Sequence, residues 1–255
     1  MTFKSMGAAV AALTLVSPAV PAAEITVSIT NLTQGMAFTP RLLVAHTAAV
    51  DLFEPGTAAS PGLTEVAEGG DTGTLAAALD LDTSVQRNQT FGGLLGPAAT
   101  SADYSFETNG HPYLSLVTML IPTNDAFAGL DSWRIPTEPG TYTVTLNAYD
   151  AGTEANDEIN PATSTLTGPG ASALGGFNAP GMAGATNPFA TNVGSGGTGV
   201  AIQAVGGVLA DEAEGNVHIH RNTLGDTNAS GGASDLDATV HRWLNPVARM
   251  TITIN

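Results

Sequence analysis

The chain contains no cysteine. That excludes disulfides, thiolate catalysis, cysteine-ligated zinc and a lipidated-cysteine anchor. Positive charge is also scarce. Seven Lys+Arg stand against 23 Asp+Glu, for a formal net charge of −16. A nucleic-acid partner is not expected, because binding phosphates requires Lys and Arg to neutralise them. Anionic membrane surfaces are disfavoured for the same reason. Aromatics make up only 5% of the chain, with two Trp and four Tyr. A sugar-cleaving cleft lined by stacked rings is therefore not expected either. Beyond the N-terminus, no apolar run is long enough to span a bilayer.

What is present is glycine (30), proline (15) and much alanine within a hydrophobic fraction of 43%. This mixture favours short strands joined by turns around a modest core. One β-rich domain can fill 255 residues. The first residues, "MTFKSMGAAVAALTLVSPAVPAAE", place Lys4 before an apolar stretch and end in small residues. That is the form of a cleaved secretory signal, expected over residues 1–23, with export to the periplasm or the extracellular space. Cleavage there would remove the only lysine and leave six arginines against 23 acids.

In "EITVSITNLT" (24–33), Ile25, Val27 and Ile29 alternate with polar neighbours, as in a half-buried strand. "RLLVAHT" (41–47), "YSFET" (104–108), "NVHIHRN" (216–222) and "NPVARMTITIN" (245–255) also read as strands. "YLSLVTMLIPT" (113–123) is apolar on both parities, which suggests a central strand covered on both faces. "GTYTVTLNAYD" (140–150) puts Tyr142, Val144, Leu146 and Ala148 on one side and threonines and Asn147 on the other. The Pro- and Gly-rich 48–73 reads as mostly loop, and 74–82 as a short helix. Residues 159–200 are rich in Gly, Ala, Pro, Thr and Asn without periodicity and read as a long irregular insertion. Together these features predict an all-β antiparallel sandwich over 24–255.

The stretch "NAYDAGTEANDEIN" (147–160) crowds Asp150, Glu154, Asp157 and Glu158 into nine residues. Asp150 continues the inward parity of its strand, and Ala151-Gly152-Thr153 turns the chain. One reading is an Asp that caps its own turn. The other is a cation site, because carboxylates brought together repel unless a cation or proton lies between them. Glu154 could point back toward Asp150, and calcium suits an all-oxygen set. A further ligand could come from "IPTNDAFAGLDSW" (121–133). If strands 113–121 and 140–149 are neighbours, Asp125 and Asp150 fall at opposite ends, unless the intervening connection folds back.

The segments "IPTNDAFAGLD", "GTYTVTLNAYDAGTEANDE" and "HRWLNPVARMTI" together resemble the spondin N-terminal domain, especially its secreted bacterial members. The resemblance implies a β-sandwich related to C2 domains, with one calcium held by Asp125, Asp150 and Glu154. The animal pattern has Asp where this chain has Glu154. Asp157 and Glu158 receive no role from the resemblance.

His218 and His220 in "HIH" lie two apart on one strand face, a spacing used by zinc and copper sites, and His46, His111 and His241 could add ligands. The simpler reading is a pair in ordinary hydrogen bonds. No Gly-x-Ser-x-Gly occurs, and "GSGG" (194–197) lies in the Gly-rich stretch. Trp243 reads as a core residue with arginine stems packed nearby. The expectation is a secreted, non-enzymatic calcium-binding module for adhesion or surface interaction, with an extracellular protein or polysaccharide as partner and neither nucleic-acid binding nor membrane insertion. Two alternatives are a secreted metalloenzyme using His218 and His220, and a self-associating structural protein.

Overall fold

A computed structural model describes residues 24–121, 123, 125–153, 215–222, 238–239 and 241–255. The expected signal segment, the 159–200 insertion, Glu154, Asp157 and Glu158 lie outside the described residues.

Strands β1 (Glu24–Asn31), β2 (Ala37–Phe38) and β3 (Arg41–His46) come first. Helices α1 (Pro61–Gly69) and α2 (Gly73–Asp80) follow, then β4 (Val85–Phe91), β5 (Tyr104–Glu107), β6 (Tyr113–Ile121), β7 (Ala126–Arg134) and β8 (Gly140–Asp150). The last two are β9 (His218–Ile219) and β10 (Ala248–Ile254). All pairings among the described strands are antiparallel, in the order β4-β3-β6-β7-β8-β10-β1-β5, with β2 beside β6 and β9 beside β8. The two ends of this path meet where Phe91 of β4 stacks on Tyr104 of β5, ring centroids 4.6 Å apart. This contact folds the two ends of the sheet toward each other over one core, in keeping with the expected all-β antiparallel sandwich.

That inner core takes alternate residues from the strands that line it. β1 gives Ile25, Val27 and Ile29, β8 gives Leu146 and Ala148, and β10 gives Met250, Ile252 and Ile254. A second core covers the outer face of β3, β6 and β7, where Leu42, Val44, Val117 and Phe127 meet Leu63, Val66, Leu75 and Leu79 of the helices. This explains the continuous apolar run of β6, which is covered from both sides.

Elements α1, β4 and β7 add to or alter the expected layout. Residues 48–73 are mostly loop as expected, but α1 occupies 61–69 within them. The proline and glycine that suggested a loop punctuate this helix instead. Pro61 stands in its first turn, Ser60 accepts a hydrogen bond from the Leu63 amide, and Gly70 ends it in a left-handed conformation (φ 67°). Strand β4 has a polar sequence without alternation, so its pattern gave no signal. The stretch 126–134 is not a connection but strand β7, which lies between β6 and β8, so those two are not direct neighbours.

Gly62 marks where the helices touch. A Cβ built there would lie 2.7 Å from the Leu75 Cα. Alanine is the better helix former by about 1 kcal/mol, but that contact is with backbone and cannot yield cheaply. Gly62→Ala is expected to destabilise by about 1–3 kcal/mol, a fall in Tm of several degrees. Gly93→Ala, which meets open space, should leave Tm nearly unchanged. Thermal unfolding of the two variants checks the pair.

Candidate metal centre

β7 is the fold-back that brings the two aspartates together. It reverses the chain just after β6, where Thr123 Oγ1 donates to the Leu120 carbonyl and accepts from the Ala126 amide (3.2 Å). It then pairs antiparallel with β8, with Ala126 opposite Asp150. Asp125, one residue earlier, therefore arrives beside the end of β8, and its carbonyl accepts from the Ala151 amide (3.2 Å). Both aspartates are completely buried.

Each carboxylate uses one oxygen locally. Asp150 Oδ1 accepts from the Gly152 amide at 2.7 Å, the turn-capping bond expected of it. Asp125 Oδ2 accepts from the Thr153 amide (2.8 Å) and hydroxyl (3.2 Å). Gly152 has φ 70°, and a Cβ there would lie 2.5 Å from the Asn216 carbonyl oxygen. Glycine is needed on both counts. It lets the segment leading to β9 press against the turn, where the Gly215 amide donates to the Gly152 carbonyl (2.8 Å).

β9 continues along the edge of β8, with His218 opposite Asp150. Val217 is buried in the outer core, and its amide donates to the Thr57 carbonyl (2.8 Å). The Nε2 atoms of His218 and His220 both face Asp150 Oδ2, at 3.7 and 3.8 Å. Neither nitrogen has a hydrogen-bond partner among the described residues. Asp125, Asp150 and His220 offer ligand atoms that all lie within 4.8 Å of one another.

The far side of each ring sets its tautomer. His218 Nδ1 lies 2.9 Å from the Asn216 carbonyl, which only an N–H can satisfy. A neutral His218 therefore turns a bare Nε2 lone pair toward a carboxylate. His220 Nδ1 instead accepts from the Asn222 amide (2.9 Å), which puts its proton on Nε2. A metal on His220 Nε2 requires the opposite tautomer and the loss of that bond, worth about 1 kcal/mol. Trp243 packs against the His220 ring, centroids 5.2 Å apart. Burial first, and then the neighbouring His218, lower the His220 pKa to about 3. The ring is neutral at physiological pH, so the 3.8 Å approach to Asp150 is not an ion pair. Neutral imidazole is the metal-binding form. Nearby, the Glu68 carboxyl is raised by burial, against a hydrogen bond from Thr153 that lowers it, while Glu65 raises it further.

Of the expected calcium ligands, Asp125 and Asp150 come together, and Glu154 lies outside the described residues. His218 and His220, read in sequence as a separate candidate, join the same place. His46 does not; it contacts Ser115 Oγ (2.7 Å) and the Thr47 carbonyl (2.8 Å). Calcium surrounds itself with oxygens. The two carboxylates fit it, and the two imidazoles do not.

Comparison with known families matches residues 31–167 to Spondin_N, more than half of the chain. No curated protein matches. The matched segment contains Asp125 and Asp150 and stops before β9.

Without a cation, the buried Asp150 charge lies close to that of Asp125. Asp150→Asn keeps an oxygen for the Gly152 amide and removes one of the two charges. In chelator, this variant is expected to be more stable than the parent by about 1–2 kcal/mol, roughly 3–6 °C in Tm. With the correct cation added, the order should reverse. Melting curves of both proteins in chelator and in cation would show whether the crossing occurs.

Proposed function

The chain belongs to the Spondin_N family, and we propose that it is an exported, non-catalytic interaction module whose surface is fixed by a divalent cation at Asp125 and Asp150. One observation carries this reading. Neighbouring strands deliver two fully buried carboxylates and an imidazole with ligand atoms within 4.8 Å. Buried carboxylates so placed repel unless positive charge lies between them. An ion there would tie the start of β7, the end of β8 and β9 into one rigid end of the sandwich.

Export is supported by the form of residues 1–23. Among the described residues, no helix is long and apolar enough to cross a membrane. The adhesive role and the extracellular protein or polysaccharide partner follow from family analogy. Calcium is the ion that analogy implies, through Asp125, Asp150 and Glu154. A non-catalytic role fits the placement of the nearest hydrolase-like constellation. Ser115 Oγ contacts His46 Nε2 (2.7 Å) and Asp131 Oδ1 (3.2 Å), but Ser115 and His46 are wholly buried, out of a substrate's reach.

If the cation is structural, its binding free energy adds to folding stability. A saturating ion at about a hundred times its Kd should contribute about 2.7 kcal/mol, or roughly 5–10 °C in Tm. Capture of the chain on extracellular-matrix protein or polysaccharide should be lost in chelator and restored by the same ion. A Tm indifferent to every divalent cation would refute the reading.

A further inference from the structure

Resting on the reading that Asp125 and Asp150 hold a cation, we infer that the ion is a first-row transition dication such as Zn2+, bound also by His218 and His220, and not calcium.

The distances favour this. At 3.7 and 3.8 Å, the two Nε2–Oδ2 separations are too long for hydrogen bonds. They are close to the spacing of two ligands on one ion. Bonds of about 2.0–2.1 Å at tetrahedral angles separate donor atoms by roughly 3.4 Å. Two buried nitrogens without hydrogen-bond partners therefore face a carboxylate oxygen across a gap of suitable size. The His220 side chain is fully buried, so its Nε2 has no water to turn to.

The donor chemistry points the same way. Imidazole suits zinc, copper, iron and nickel, whereas calcium and magnesium take oxygen. A set of two carboxylates and two imidazoles matches the first group. The outer contact of His218 is that of a ligand. The Asn216 carbonyl fixes the His218 tautomer with the Nε2 lone pair directed inward. His218 is one-quarter exposed, which gives an ion a way in. Asp125, Asp150 and His220 form the deep part of the site; His218 lies outside that mutually close group and approaches its Asp150 from the exposed side, so its ring must move inward to complete a four-ligand set. Binding at His220 must displace the Asn222 amide from Nδ1. Affinity should therefore depend most on His218, whose tautomer is already correct. Both histidines lie outside the segment matched to Spondin_N.

The test strips the full chain with chelator and titrates it with Zn2+, Co2+ and Ca2+ by calorimetry, with Co2+ also followed by its visible absorption. The expected result is one tight Zn2+ or Co2+ site, an intense four-coordinate Co2+ spectrum, and calcium weaker by roughly tenfold or more. His218→Ala should weaken Zn2+ by roughly tenfold or more and leave any calcium binding unchanged. Because His218 is partly exposed, this variant should fold, and its melting curve in chelator verifies that. The parent's Co2+ spectrum needs no variant at all. Tight calcium binding indifferent to His218→Ala and His220→Asn would overturn the inference and leave the cation reading standing. So would zinc binding that ignores both substitutions. Binding of no cation would overturn both.

Discussion

The site depends on one register: Ala126 of β7 opposite Asp150 of β8. Slip that pairing by one residue and every inward side chain of β7 turns outward. Asp125 would leave the end of β8, and the bond from the Ala151 amide to the Asp125 carbonyl would go with it. The register is held from both faces. Ala126 and Ala128 sit in the inner core, while Phe127 sits in the outer one, edge-on to Phe53 (5.0 Å) and stacked near Tyr149 (5.6 Å). Gly129 leaves room for the Phe53 ring, which a Cβ would meet at 2.6 Å. Hydrophobic packing thus fixes the positions of two carboxylates that would otherwise move apart.

A fold that buries two carboxylates at one edge takes on an electrostatic cost. The turn after β8 meets part of it, because Gly152 and Thr153 donate to Asp150 and Asp125. β9 docks against the same edge, and there the sequence supplies two histidines. An ion between them would make a cross-link between parts of the chain far apart in sequence, where a cysteine-free protein has no disulfide to use. It would be both a stabilising element and the organiser of the adjoining surface.

The carboxylates and the histidines were all visible in the sequence, but as two unrelated candidates. The inward parity of β8 predicted that Asp150 would be buried, and it is. Strands β1, β3, β6, β8 and β10 could be read from alternation or from continuous apolar runs, because packing against one or two layers imposes those periods directly. β7 could not. Its AFAGLDSWR sequence begins buried on both faces and ends partly exposed, so no single period describes it. Missing β7 left Asp125 and Asp150 at opposite ends of supposed neighbours.

The chain's local chemistry, by itself, determined the acidity, the absence of cysteine, the strand-forming alternation and the glycine that turns the chain after Asp150. These depend on side-chain type and near-neighbour spacing. Tertiary structure alone decided that β7 inserts between β6 and β8, and that β9 lies along β8 with His218 opposite Asp150. Cross-strand pairing joins residues through backbone hydrogen bonds that every residue except proline can donate. The identity of a residue therefore says little about which distant strand it will face.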